Sequence, residues 1–187
     1  DSKGNIWVGT RGGLGRFLPE TQEFEVFLKT DTVFPIVGNA IITLMEGPDG
    51  DIWAGTYQGL NRVHLDENGQ VDSISRFIPF PNEPNSLPDP NINSMVCDSL
   101  GKIWIGTEKG LVRYTESAGI MRFELALPDA DPPIKGLAID QNGMLWASTY
   151  KGIVQILSTS GQHGPLPVRP YDVKDGLQSN EFHQGAA

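Results

Sequence analysis

The side chains in this sequence best placed to hold a small polar molecule are Arg11, Tyr57, Gln58, Glu108, Lys109, Tyr150 and Lys151. Each stands in one of the two positions after a Gly-Thr or Ser-Thr pair, so the set comes from four equivalent places in the chain. Aromatic rings, an amide, a carboxylate and cations converging on one concavity suit a small polar ligand such as an oligosaccharide: the rings stack and the polar heads bond hydroxyls. Asn39, Asn91 and Asn180 add carboxamides from neighbouring segments. The competing explanation is that turn residues are polar because water surrounds them.

Other chemistry finds little support. His64, His163 and His183 are far apart and match no zinc spacing. Asp66-Glu67-Asn68-Gly69 and Asp140-Gln141-Asn142-Gly143 begin like calcium loops but lack the later bidentate acid. Gly9 to Gly15 is glycine-dense yet joins strand to strand, so it makes no phosphate loop at a helix start. Cys97 is the sole cysteine, which excludes an internal disulfide, and it reads as a small buried apolar residue. No catalytic constellation, metal site or cofactor is expected. A net charge of -9 argues against a nucleic-acid surface. No apolar run reaches the roughly 20 residues that span a bilayer, so direct membrane insertion of this segment is not expected.

The positioning element is a tryptophan strand written four times: Ile6-Trp7-Val8-Gly9-Thr10, Ile52-Trp53-Ala54-Gly55-Thr56, Ile103-Trp104-Ile105-Gly106-Thr107 and Leu145-Trp146-Ala147-Ser148-Thr149. The tryptophans fall 46, 51 and 42 residues apart, a period that signals propeller blades. A glycine stands three residues before each Trp and another six after it, so the strand is bracketed by two glycine turns. Ile, Val/Ala/Ile and Thr point one way while Trp and Gly point the other, as in a sheet covered on both faces. The glycine leaves room beside the indole for a large neighbouring side chain. The 22 glycines, 14 prolines and 20% charged residues suit short strands and tight turns, and no helical periodicity is sustained.

Each unit reads as four strands: in the third, Ile92 to Cys97, Lys102 to Thr107, Leu111 to Thr115 and Ile120 to Leu125. Proline-rich connectors, Lys29 to Asn39, Pro79 to Pro90 and Leu127 to Pro133, join the units, and Ser158 to Pro165 reads as a loop. The expected fold is an all-β propeller of four four-stranded antiparallel blades over residues 1–187, a single domain that is partial or small. The chain starts inside a repeat, which suggests a piece of a longer protein. Asn180 to Ala187 reads as a first strand that completes the first blade, with Phe182 aligned to Ile41, Ile92 and Ile134. A piece cut at a whole number of repeats would show the same complementarity. Four units closing alone and two chains self-associating into one ring of eight are both compatible with it.

The unit D-x-x-G-x-[IL]-W-x-[GS]-T-x-x-G-[LI]-x-x-[FVYI] resembles the two-component regulator propeller repeat, with starts at Asp1, Gly47, Asp98 and Asp140. Asp175 to Phe182 resembles that family's lead-in to a late blade. The departures are Gly47 for Asp and Ser148 for Gly. The resemblance implies a non-catalytic, ligand-binding sensor domain in the periplasmic or other extracytoplasmic part of a bacterial receptor for signal transduction. One alternative is a propeller enzyme of lyase or glycosidase type acting on a saccharide or small polar substrate, since the G-x-[IL]-W turn faintly resembles the aspartate box of sialidases. Against it, arginines of the seven present sit in equivalent positions, Arg16, Arg62 and Arg113, as an outer blade face would have them. A structural scaffold is the third reading.

Overall fold

Four glycine turns set the strand ends. Gly4, Gly50, Gly101 and Gly143 have φ of 85°, 84°, 77° and 78°, a region that other residues enter only at a cost. Each donates its N–H to the carbonyl three residues back at 2.9–3.1 Å, which turns the chain into the Trp strand. The computed structural model describes residues 1–127, 133–157 and 166–182. His163, His183, the 158–165 loop and most of the expected closing strand lie outside the described residues.

Blade one comprises β1 (Trp7–Thr10), β2 (Gly13–Leu18) and β3 (Glu23–Phe27). Blade two has β4 (Ile41–Glu46), β5 (Ile52–Thr56), β6 (Leu60–Leu65) and β7 (Val71–Phe77). Blade three has β8 (Ile92–Cys97), β9 (Ile103–Thr107), β10 (Gly110–Ser117) and β11 (Ile120–Leu127). Blade four has β12 (Gly136–Ile139), β13 (Leu145–Thr149), β14 (Gly152–Ile156) and β15 (Val168–Tyr171). All pairings are antiparallel and each sheet is an up-and-down meander, so the chain is an all-β propeller structure. The third and fourth strands of blade three run longer than the sequence pattern predicts. Ala118 and Gly119 both have positive φ, 51° and 75°, and close a two-residue hairpin that lets the ladder run to its end.

Blade one differs from the four strands expected of it. Among the described residues β1 pairs with β2 alone. The Phe182 N–H donates to the Thr149 carbonyl at 3.3 Å, just as Ile134 donates to Thr107 at 3.1 Å. The register predicted for Phe182 therefore appears at the blade-four end, where it matches the step from one blade to the next.

The three apolar clusters are the three interfaces between successive blades. Leu14 and Phe27 pack with Ile41, Ile52 and Val63; Trp53 and Leu60 pack with Ile92, Ile105 and Tyr114; Trp104 and Leu111 pack with Ile134, Leu145 and Ile156. The glycine of the Trp strand explains the close fit. A Cβ added at Gly9, Gly55 or Gly106 would lie 2.5–2.6 Å from Cγ2 of Ile41, Ile92 or Ile134, the isoleucine that begins or leads into the first strand of the next blade. The room beside the indole is thus filled across the interface. β5 and β9 are buried throughout, whereas Ile6 is 57% exposed because no described residues cover that face of blade one.

The expectation of an outer blade face for Arg16, Arg62 and Arg113 is corrected. All three are buried or nearly so. Arg16 crosses to the Gly69 carbonyl of blade two at 2.7 Å, and Arg62 crosses to Glu116 of blade three at 2.7 Å. Arg16 and Arg62 also lie over the Trp7 and Trp53 rings, 5.9 and 5.4 Å from their centroids. They staple blades together at the end opposite the candidate ligand residues.

Candidate functional site

Every Trp strand ends in the same turn. The hydroxyls of Thr10, Thr56, Thr107 and Thr149 donate to the carbonyls of Gly13, Gly59, Gly110 and Gly152 at 2.8–3.0 Å. The same oxygens accept the N–H of Gly12, Gln58, Lys109 and Lys151. With the turn held at both ends, its two central residues take separate directions.

The first central position serves the channel side. Arg11 and Tyr57 line a central cleft of about 790 Å³, whose floor comes from the inner strands β4, β8 and β12. The cleft therefore takes residues from all four blades. Glu108 accepts from Asn93 at 2.8 Å and from Lys135 at 2.6 Å, and the Lys135 ammonium lies 4.7 Å from the Tyr150 ring centroid. Burial pushes the Glu108 carboxyl up, but the bonds from Lys135 and Asn93 outweigh it and hold the pKa below the usual range. Burial likewise lowers Lys135, and Glu108 more than restores it, so the lysine ends above its ordinary value. This ion pair spans blades three and four.

The second central position serves the connectors. The Gln58 side-chain oxygen accepts from Lys29 at 2.8 Å, and Lys109 donates to the Pro88 carbonyl at 3.0 Å. Lys109 also lines a second cleft, of about 720 Å³, between the 79–88 connector and β11. The asparagine oxygens of Asn39 and Asn180 accept the backbone N–H of Lys29 and Val173, and the Asn91 N–H donates to Asp89. So six of the seven sequence-derived residues divide: Arg11 and Tyr57 share the cleft, Glu108 and Tyr150 meet through Lys135, and Gln58 and Lys109 face away; Lys151 closes its turn through its backbone N–H on Thr149.

Asn93 and Lys135 were not among the residues expected from sequence. β4 and β8 each carry a register shift, leaving Ile42 and Asn93 as extra residues in the ladder. Lys135 holds the corresponding place, one residue after Ile134. The available signal was this alignment: the residue after each docking isoleucine is re-aimed at the rim.

The remaining reactive groups are occupied. His64 bonds Asp51 through Nδ1 at 2.7 Å and Ser75 through Nε2 at 2.9 Å. Burial, with Asp98 and Asp49 nearby, raises the Cys97 thiol and opposes thiolate formation. Among the described residues no group of three His, Cys, Asp or Glu could hold a metal ion, and no helix is long and apolar enough to cross a membrane.

Residues 35–58 and 86–109 match the two-component regulator propeller family. These spans run from the connector through the Trp strand to the rim turn of blades two and three. Two stretches of the chain, about a quarter of its length, thus match two-component regulator propeller repeats. Two structures of the extracellular domain of BT4673 from B. thetaiotaomicron, assigned as a one-component system in one and a hybrid two-component system in the other, superpose on this propeller. They give TM-scores of 0.72 and 0.70 at 26% and 27% identity, over 95% of this chain and 22% of the other. The chain thus spans about a fifth of those domains' length. Virginiamycin B lyase from Staphylococcus aureus shares the fold at 18% identity and a TM-score of 0.60, over 93% of this chain and 54% of the lyase. No curated protein sequence matches the chain.

Proposed function

We propose that this propeller is the ligand-binding part of an extracytoplasmic sensor, is not itself catalytic, and takes a small polar ligand, an oligosaccharide, at the cleft mouth. The observation that carries this reading is the cleft to which all four blades contribute, with Tyr57 at its rim and Asn93 on its wall. The likeness to extracellular domains of receptor systems supports the location and the role. Tyr57, 48% exposed, offers a face on which a sugar ring can stack.

A glycan array with hydrolysis controls tests the reading. Binding of an oligosaccharide without turnover is the expected result, with affinity falling about tenfold in Tyr57→Ala, on the scale of one lost aromatic contact. Turnover of any bound sugar would replace the sensor reading with the enzyme one. Binding unaffected by Tyr57→Ala would move the site away from this cleft.

A further inference from the structure

We infer that the ligand of this cleft carries a carboxylate, as an acidic saccharide does, and that Arg11 is the residue that reads it. The inference rests on the cleft being the binding site. Arg11 is the sole charged side chain among the described residues lining the cleft; the other lining residues are neutral, Thr43, Tyr57 and Asn93 among them. It is exposed and engages no carboxylate among the described residues. In this the rim cation differs from the three arginines paired in register with tryptophans, Arg16, Arg62 and Arg113. Arg16 is paired with Glu25, Arg62 with Asp49, Asp51 and Glu116, and Arg113 with Glu124.

The nearby carboxylate does not cancel it. Glu108 is committed to Lys135 and Asn93, so the acid of the rim is neutralised by its own lysine and amide. The chain as a whole is at -9, and three of the four turns at the opposite end open on aspartate: Asp1, Asp98 and Asp140. An uncommitted guanidinium facing a neutral cleft on so acidic a protein therefore marks a local place where an anion is favoured. A guanidinium recognises a carboxylate through two parallel N–H donors, which fixes orientation as well as charge. Tyr57, also on the cleft, would meet the ring that bears the acid.

Calorimetric titration of the full chain with tetragalacturonate and with its fully methyl-esterified counterpart, equal in length and ring, isolates the charge. At low salt the acid should bind at least tenfold more tightly than the ester. That ratio should fall close to one in Arg11→Gln, recover in part in Arg11→Lys, and shrink with added salt in the wild-type protein. Equal binding of acid and ester by the wild-type protein would overturn the inference while leaving the saccharide site standing. A preference that persists in Arg11→Gln would also overturn it. Binding of neither oligosaccharide would overturn it, and if the glycan array is blank as well, the saccharide reading falls with it.

Discussion

In blades one, three and four a carboxylate from the first turn reaches the indole N–H, whereas in blade two the same position is Gly47 and the indole N–H has no partner among the described residues. Asp1, Asp98 and Asp140 accept from Trp7, Trp104 and Trp146 at 2.8–3.0 Å through one oxygen. Through the other they accept two backbone N–H groups, at the second and fourth residues on. In blade two a Cβ at position 47 would lie 2.6 Å from Trp53 Nε1, so the ring occupies the space an aspartate would need. The Arg62 guanidinium lies over the face of this ring, 5.4 Å from its centroid. The comparison teaches that burial of the indole is what the repeat requires, and that the hydrogen bond is an addition to it.

If so, the largest effect belongs to the ring itself in both arrangements. Trp53 is 1% and Trp104 0% exposed. Trp53→Ala and Trp104→Ala should each cost about 3–5 kcal/mol in chemical denaturation, by analogy with other buried aromatic truncations. A cost for Trp53→Ala of less than half that for Trp104→Ala would show that the latch, absent in blade two, carries the stability.

Next in size is the guanidinium over the blade-two ring. Arg62 holds Asp49, Asp51 and Glu116, and the Asp51 side chain is only 10% exposed. Burial pulls Arg62 down, but Glu116 and Asp51 more than compensate and leave it above its ordinary value. Arg62→Met should cost about 3 kcal/mol because it takes the guanidinium from the buried Asp51 carboxylate, which keeps only His64 and the Leu65 N–H. Arg113→Met, whose Glu124 partner is 33% exposed and open to water, should cost about 1 kcal/mol. Equal losses in the two would mean that the blade-two cluster is an ordinary ion pair.

Asp98→Ala removes three accepted hydrogen bonds and should cost about 2 kcal/mol. Gly47→Asp should destabilise blade two instead of repairing it, because the ring must move. The latch also has an acid signature. Asp140 is held below its ordinary 3.8 by the Trp146, Met144 and Asn142 N–H groups, against a small burial effect. A depressed carboxylate contributes stability above the unfolded value and loses it as pH falls through the folded one. Melting temperature should therefore drop as pH falls below about 4 in the wild-type protein, and less steeply in Asp140→Asn. Parallel curves for the two would remove the latch from the account of acid stability.

The architecture was legible because each instruction is repeated and local: a glycine with positive φ, a Trp, a Gly two residues on, a Thr that closes the turn. Even the partner of the Gly two after the Trp could be anticipated as a large side chain, although that it is an isoleucine of the next blade could not. The bond from Asp to Trp six residues away was hidden, since Asp at a turn start already has a backbone reason to be there. The arginines misled for a related reason: a charged residue at a regular strand position reads as belonging to an outer blade face, and only the stacked blades show that its stem is buried and that the heads of Arg16 and Arg62 cross an interface. Of the candidate site, the turn positions were readable but their directions were not. Arg11 and Tyr57 face the cleft while Gln58 and Lys109 face the connectors, a division set by the threonine turn. Asn93 escaped because a bulge, invisible in composition, re-aims it, and Lys135 because it stands just ahead of β12, in the place that corresponds to Asn93.

The smallest effect separates the hydrogen bond from the ring. Trp53→Phe and Trp104→Phe remove similar volume from similarly buried sites, so their cavity costs should nearly cancel in the difference. Trp53→Phe also removes an N–H that has no partner among the described residues, and so loses nothing further. Trp104→Phe deprives Asp98 of its donor while the carboxylate keeps its two backbone bonds. Blade three should therefore lose about 1 kcal/mol more than blade two, the net worth of one hydrogen bond to a charged acceptor that water can still reach. Asp98→Ala combined with Trp104→Phe should abolish that difference, since the double variant has no latch left to break. A remaining gap would place the blade-three advantage in packing around the ring, and the two tryptophans would then differ in their neighbours alone.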